Sequence, residues 1–290
     1  MSAFADLSFQ GVGGLALHAR DYAGDGGRAS CPVVCLHGLT RNAADFEDVA
    51  PFIAAQGRRV LAVDVRGRGR SARDPDPRRY NPKVYAADVL ALLDAAGISR
   101  AVFIGTSMGG LITMVIAARR LRAIAAAVLN DVGPVLSMAG LTRIAGYVGQ
   151  GRPVSSWDEA AEYVRAVNGA AFPGNSMQDW QAWARRSFRE DEHGRLSLDY
   201  DPQVASAIRG TKLRPSSLAA RLLYRRLARN RPTLLIRGAL SDIVGPDGVA
   251  YMRQAAPALQ VAEVPGVGHA PMLTEPAAQE ALTRFLAQVP

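Results

Sequence analysis

The sequence predicts an α/β fold with a mostly parallel central sheet, helices on both faces and an inserted helical segment. Between about residues 31 and 131, short apolar runs alternate with segments of helical periodicity. Continuously apolar strands separated by helices are typical of a parallel sheet that is covered on both faces. This strand pattern stops after residue 134 and resumes at residue 232. We therefore expect one α/β core formed by 1–134 and 231–290, with a helical insertion at 135–230.

The elements follow in order from local signals. The first 20 residues, with apolar segments flanking Gly11 to Gly14, predict an antiparallel hairpin at one edge of the sheet. Further strands are then expected at 31–38, 58–65, 100–105, 123–131, 232–238 and 259–266. An amphipathic helix should begin at Pro82 and end before Gly97, because proline favours the first turn of a helix and glycine its end. Another helix follows the third strand directly, and the last helix covers 276–288.

Composition narrows the class of protein. About half of the 290 residues are apolar, which is enough for a sizeable core. Apolar runs remain shorter than the roughly 18 to 20 residues of a membrane span, and the N-terminus does not resemble a secretory signal. The net charge of +8 comes from arginines spread over turns and helix faces. We therefore expect a cytoplasmic protein that binds neither membranes nor nucleic acid; the sequence does not indicate an oligomeric state.

Cysteine usage gives no sign of a disulfide or a metal centre. Cys31 and Cys35 fall on the same predicted strand, where residues four apart lie about 13 Å from each other, too far for a disulfide. No further cysteine or histidine stands nearby at ligand spacing. We interpret both cysteines as core residues and expect neither a metal nor a cofactor.

The pentapeptide from Gly105 to Gly109 predicts a catalytic nucleophile. It has the form G-x-S-x-G, with Ser107 at its centre, an apolar strand before it and a helix directly after it. Such a turn is sharp and strained, so small flanking residues are needed for the strand and the helix to approach each other. The free N–H groups at the helix N-terminus can stabilise negative charge on a reacting oxygen.

A serine nucleophile needs a base, and His269 has the required position. It follows the last predicted strand and precedes the last helix, within the segment VPGVGHAPML. Of the other histidines, His18 and His193 are expected to face solvent. His37 belongs to the His37-Gly38-Leu39 segment after the first buried strand and should hold that loop.

The acid should stand between the serine and the histidine in the chain. Asp242 and Asp131 both satisfy this order, and both follow the end of a predicted strand. We predict Asp242 as the acid, because its loop lies next to the strand that leads to His269, and keep Asp131 as the alternative. The backbone N–H groups of Leu39 and Met108 are predicted to form the oxyanion hole.

Together these segments resemble the α/β-hydrolase superfamily. The matching segments are HGL at 37, DVRGRGRS at 64, GTSMGG at 105, LND at 129, IRGALSDIV at 236 and VPGVGHAPML at 264. The chain is most similar to small bacterial esterases, enol-lactonases and carbon–carbon bond hydrolases with a helical cap. That resemblance implies that 135–230 covers the serine and determines the substrate. Epoxide hydrolases and haloalkane dehalogenases of this superfamily carry aspartate at the position of Ser107, so those activities are not expected.

The resulting expectation is a hydrolase of a small, largely apolar carboxylic ester or lactone, acting through an acyl-serine intermediate. Two alternatives remain open: a carbon–carbon bond hydrolase of a vinylogous diketone, and a ligand-binding, receptor-like protein on the same fold. Ala270, Pro271 and Met272 stand where carbon–carbon hydrolases often carry tryptophan, which disfavours the first alternative. Most aromatic residues of the cap should pack against its core, with some lining the substrate pocket. These aromatic residues are Trp157, Tyr163, Phe172, Trp180, Trp183 and Phe188.

Overall fold

The computed structural model describes residues 4–24, 30–151, 153–207 and 214–290. The strands in this part of the chain are β1 (Ala5–Gln10), β2 (Ala16–Tyr22), β3 (Val33–Leu36), β4 (Val60–Asp64), β5 (Ala101–Thr106), β6 (Ile124–Asn130), β7 (Phe188–Glu190), β8 (Leu196–Leu198), β9 (Thr233–Gly238) and β10 (Gln260–Val264). The helices are α1 (Val49–Ala54), α2 (Pro82–Ala95), α3 (Met108–Arg120), α4 (Met138–Tyr147), α5 (Trp157–Asn168), α6 (Met177–Ser187), α7 (Leu218–Ala228), α8 (Pro246–Ala255) and α9 (Pro276–Leu286).

A central sheet carries the fold, with strand order β1-β2-β4-β3-β5-β6-β9-β10 across the described residues. The pairs from β4 to β10 are parallel, whereas β1–β2 and β2–β4 are antiparallel. This confirms both the mostly parallel α/β fold and the edge hairpin that the sequence predicts. Separate apolar clusters cover the two faces of the sheet, as expected when parallel strands are buried on both sides.

The central strands are buried because their side chains are apolar at nearly every position. Each residue of β3, β4, β6 and β9 is buried. Because β5, β6 and β9 are parallel neighbours, their carboxyl ends meet at one edge of the sheet. This edge is where sites assemble in open α/β sheets. In the described part of the chain, no helix is long and apolar enough to cross a bilayer.

The segment between β6 and β9 contains the predicted helices, together with a short antiparallel hairpin of β7 and β8 that the sequence did not predict. A third apolar cluster holds α5 and α6 together around Trp180, Trp183 and Phe172. Helix α7 lies inside the predicted cap range but packs on the core: Tyr224 donates a hydrogen bond to the carbonyl of Met252, and Leu227 belongs to the core cluster. The division at residues 135 and 230 stays a prediction.

Candidate active site

Ser107 lies in the turn between β5 and α3, in a backbone conformation that few residues adopt. Its φ is 51° and its ψ is −111°, a strained combination that occurs mostly at functional sites. The close approach of strand and helix explains the small neighbours. A Cβ on Gly105 would lie 2.5 Å from the backbone carbon of Gly109 and from the nitrogen of Gly110, which only glycine avoids.

His269 connects the serine to a carboxylate. Its Nε2 lies 2.9 Å from Ser107 Oγ, and its Nδ1 lies 2.8 Å from Asp131 Oδ2. The His269 side chain is 8% exposed and that of Asp131 is fully buried, so the contact between these two side chains is shielded from water. With the proton on Nδ1 held by the carboxylate, Nε2 presents its lone pair to the serine hydroxyl, as a general base requires.

The prediction of Asp242 as the partner of His269 is wrong, because the structure gives this contact to Asp131. Asp131 directly follows β6, the strand that neighbours the strand of Ser107, and its φ of 53° belongs to the left-handed region. Asp242 instead pairs with the guanidinium of Arg143 on α4, at 2.6 and 2.8 Å. Hydrogen bonding to Arg143 lowers the pKa of Asp242.

Ser241 supports the carboxylate that the sequence analysis ranked second. Its Oγ accepts hydrogen bonds from the N–H groups of Ile243 and Val244, both at 3.1 Å. Because these contacts use the lone pairs of the oxygen, the hydroxyl proton points to Asp131 Oδ2, 2.6 Å away. Asp131 Oδ1 is buried and has no partner among the described residues. The loop after β9 thus supplies a donor to the acid, although the sequence predicted the acid itself there.

Leu39 and Met108, whose amides are predicted to form the oxyanion hole, both lie near Ser107 in the structure. Leu39 follows β3 and lines the same cavity as Ser107, while Met108 is the first residue of α3. Within the described segments, neither N–H group has a hydrogen-bond acceptor. Their role as an oxyanion hole remains a prediction.

His37 holds the Leu39 loop, in agreement with its predicted structural role. Its Nδ1 donates to the carbonyl of Gly38 at 2.7 Å, and its Nε2 accepts from the N–H of Val65 at 3.1 Å. Burial lowers the pKa of His37 to about 4, so the ring is neutral at physiological pH.

His18 is not at the surface, which corrects the sequence-based expectation. It is buried between two carboxylates, with Nδ1 2.7 Å from Asp64 and Nε2 2.8 Å from Asp6. Burial acts to lower the pKa of His18, but the hydrogen bonds to Asp64 and Asp6 outweigh it and raise the pKa. His193 is exposed, as predicted.

A cavity of about 110 Å³ opens at Ser107 and His269. Much of its wall is apolar, with Leu39 and Phe46 from the core and Ile144 and Val164 from α4 and α5. Of the six cap aromatics named from the sequence, Tyr163 and Trp183 line the cavity, together with Tyr147 and Tyr200. Trp180 stacks on Trp183 with ring centroids 5.6 Å apart and belongs to the apolar cluster behind it.

Sequence reasoning missed several polar residues of this site, among them Ser241 and Arg41. Ser241 carries no motif of its own, and only its position one residue before Asp242 could have drawn attention to it. Arg41 lines the cavity; its position two residues after Leu39, close to the predicted oxyanion hole, was the available signal.

Comparisons with known proteins agree with this geometry. A family described as having the alpha/beta hydrolase fold matches residues 32–276. The 3-hydroxybutyrate-oligomer hydrolase of Cupriavidus necator is 34% identical over 285 residues, covering 96% of each chain. The 2-(acetamidomethylene)succinate hydrolase of Mesorhizobium japonicum is 26% identical, covering 89% of this chain and 86% of the relative.

Solved structures show the same architecture. The crystal structure of an alpha/beta hydrolase from Novosphingobium aromaticivorans is 42% identical and covers both chains completely, with a TM-score of 0.91. The likeness extends over the segment between β6 and β9 as well as over the central sheet.

Proposed function

Because this chain belongs to the α/β-hydrolase family, we propose that it is a serine hydrolase of small carboxylic esters. Ser107 is the nucleophile, His269 the general base and Asp131 the acid that orients the imidazole. The observation that carries this proposal is the unbroken pair of hydrogen bonds from Ser107 through His269 to Asp131 at the end of a cavity. An intact set of this kind favours an enzyme over a receptor-like protein.

The proposed reaction has two halves. Ser107 Oγ attacks the ester carbonyl carbon while its proton passes to His269 Nε2, and the N–H groups of Leu39 and Met108 bind the developing oxyanion. The bond to the alcohol then breaks, and His269 returns the proton to the departing oxygen. Water repeats the attack on the acyl-serine with His269 as base, which releases the carboxylic acid and restores the serine.

For the substrate we propose short ester oligomers of a 3-hydroxy acid. The relative from Cupriavidus necator is named as a hydrolase of 3-hydroxybutyrate oligomers and is similar over nearly its whole length. The small cavity suits an acyl unit of a few carbon atoms better than a long fatty acyl chain. The apolar wall can take up the alkyl part of such a unit.

Replacement of Ser107 tests the proposal. We expect Ser107→Ala to lower kcat for the 3-hydroxybutyrate dimer and for p-nitrophenyl butyrate by about 10⁵- to 10⁶-fold, by analogy with other serine triads. The matched control is Ser155→Ala, which replaces an exposed serine outside the cavity wall and should leave both rates unchanged.

Covalent labelling gives an independent measurement. A phosphonofluoridate should add one phosphonyl group to the wild-type protein, located at Ser107 by peptide mass spectrometry, and none to Ser107→Ala. More than a tenth of the wild-type rate in Ser107→Ala, or labelling of another serine, would overturn the assignment.

A further inference from the structure

We propose that Arg41 binds a second, uncharged oxygen of the substrate and thereby selects esters with a hydroxyl group near the reacting carbonyl. This inference rests on the proposed ester hydrolysis at Ser107 and specifies which esters the site prefers. A 3-hydroxyacyl ester is the simplest substrate with such a hydroxyl.

Arg41 lies close to the nucleophile. It lines the same cavity as Ser107, as do its two hydrogen-bond partners Asp45 and Ser187. A Cβ built on Gly38 would lie 3.5 Å from Arg41 Cγ and 3.9 Å from Ser107 Cβ, so the stem of Arg41 and the side chain of Ser107 border the same small space beside Gly38. A substituent two carbon atoms from the reacting carbonyl is therefore within reach of Arg41.

The Arg41 guanidinium retains N–H donors that no group among the described residues uses. Its Nε and Nη2 bind the carboxylate of Asp45, and its Nη1 donates to Ser187 Oγ at 2.9 Å. A guanidinium has five N–H groups and no acceptor. Among the described residues, the second N–H of Nη1 and that of Nη2 have no acceptor. A substrate oxygen in the cavity can accept from them.

Packing keeps these donors in place. The Arg41 guanidinium lies 4.7 Å from the ring centroid of Trp183, which restrains it by cation–π contact. The side chains of Arg41 and Asp45 are only 16% and 13% exposed. A nearly buried ion pair of this kind seldom stabilises a fold more than apolar residues of the same volume, so stability alone does not account for its place in the cavity wall.

The charge of Asp45 determines which oxygen is preferred. Because Asp45 neutralises Arg41 and itself lines the cavity, a substrate carboxylate at this place would meet a like charge. A hydroxyl oxygen accepts the same hydrogen bond without that repulsion. The site therefore favours a hydroxyl group over a carboxylate.

Three matched esters test the inference in the complete protein. Values of kcat/KM are compared for ethyl 3-hydroxybutyrate, ethyl butyrate and monoethyl succinate. The first ester carries a hydroxyl group, the third carries a carboxylate, and ethyl butyrate carries neither. We expect wild-type protein to prefer the hydroxy ester to ethyl butyrate by at least about tenfold, and monoethyl succinate to be the poorest substrate.

In Arg41→Met the preference for the hydroxy ester should fall to about one- to twofold. The double variant Arg41→Met/Asp45→Asn also removes the negative charge of Asp45, which would lack a partner without Arg41. If the single variant fails to fold, the ratio of the two kcat/KM values is measured in the double variant. Arg186→Met is the matched control. Arg186 binds Glu47 and Asp48 outside the cavity wall, and its replacement should keep the wild-type ratio.

The outcomes separate this inference from the proposed function. Equal kcat/KM for ethyl butyrate and its hydroxy analogue in wild type, or an unchanged ratio in the Arg41 variants, overturns the role of Arg41 while ester hydrolysis stands. A preference for monoethyl succinate overturns the choice of a hydroxyl group. Absence of hydrolysis of every ester, with no labelling of Ser107, overturns the proposed function itself.

Discussion

Asp131 and Asp242 follow neighbouring strands of the sheet, and by sequence order either could be the acid that orients His269. Their contacts in the structure distinguish them. Asp131 accepts a hydrogen bond from His269, whereas Asp242 binds Arg143. The acid holds the imidazole in the required tautomer and stabilises its positive charge in the transition state. We expect Asp131→Asn to lower kcat for p-nitrophenyl butyrate by about 10⁴-fold, following the loss seen for the corresponding change in serine proteases.

Asp242→Asn is the matched control, because it makes the same chemical change at the end of the next strand. It should lower kcat by less than about tenfold, as Arg143 and not His269 loses its partner. Folding of both variants is checked by far-UV circular dichroism. A reversal, with Asp242→Asn the inactive variant, would mean that the acid stands after β9.

The sequence could not decide between these aspartates. Both follow Ser107 and precede His269, and both stand after a buried strand. The deciding features are the left-handed backbone of Asp131 and the contact of Asp242 with Arg143, 99 residues away in the chain. Such distant pairings depend on how the loops fold over the sheet, which local patterns do not encode.

At the scale of elements, the approach of β5 to α3 is close enough to exclude any side chain at Gly105. A Cβ there would lie 2.5 Å from backbone atoms of α3, and backbone cannot move aside as a flexible side chain can. We expect Gly105→Ala to lower the free energy of unfolding by about 1–3 kcal/mol or more and the Tm by several degrees, measured by calorimetry.

Gly38→Ala is the matched control, because it should lower activity and leave stability unchanged. Its Cβ would meet no atom closer than 3.5 Å, which is ordinary contact distance, but the methyl group would occupy the space beside Ser107. This variant should keep the wild-type Tm to within about 2 °C and lose most of its kcat/KM. If Gly105→Ala proves as stable as wild type, the strand and helix do not approach as closely as described.

Elements with a strong apolar pattern were the ones that the sequence predicted well. All six predicted strands of the core and the edge hairpin are present. The central strands are buried on both faces and therefore have few polar positions to interrupt the apolar pattern, whereas β10 lies at the sheet edge with Gln260 and Glu263 exposed. The strands β7 and β8 have only three residues each, too few for a period to show. Helix α7 lies within the range 135–230 that the family resemblance assigns to the cap, but contacts such as that of Tyr224 with Met252 pack it on the core.

For the molecule as a whole, two buried histidines give opposite dependences of stability on pH. His37 has a folded pKa of about 4, below its ordinary value of 6.5, because burial disfavours the charged ring. His18 has a raised folded pKa, because Asp64 and Asp6 outweigh the effect of burial. The stability that His18 contributes is therefore present below its unfolded pKa and is lost as pH rises through its folded pKa. His37 acts in the reverse direction.

The contribution of His37 can be measured between pH 6.5 and 4. In this window the unfolded chain binds a proton at residue 37 and the folded protein does not, so acidification favours unfolding. A difference of this size between the two pKa values corresponds to about 3 kcal/mol at the acid end. We expect the free energy of unfolding of wild-type protein, measured by urea denaturation, to fall by roughly that much beyond the effect of carboxylate protonation.

His37→Gln isolates this effect, because glutamine keeps a donor and an acceptor but cannot bind the proton. The variant should be less stable at pH 7 yet lose less stability than wild type between pH 6.5 and 4. His193→Gln, at an exposed histidine, should follow the wild-type curve. If wild type and His37→Gln lose stability equally over this range, His37 is not buried in neutral form. The loop that contains Leu39 would then need another support, because a protonated His37 ring could not accept the hydrogen bond from the N–H of Val65.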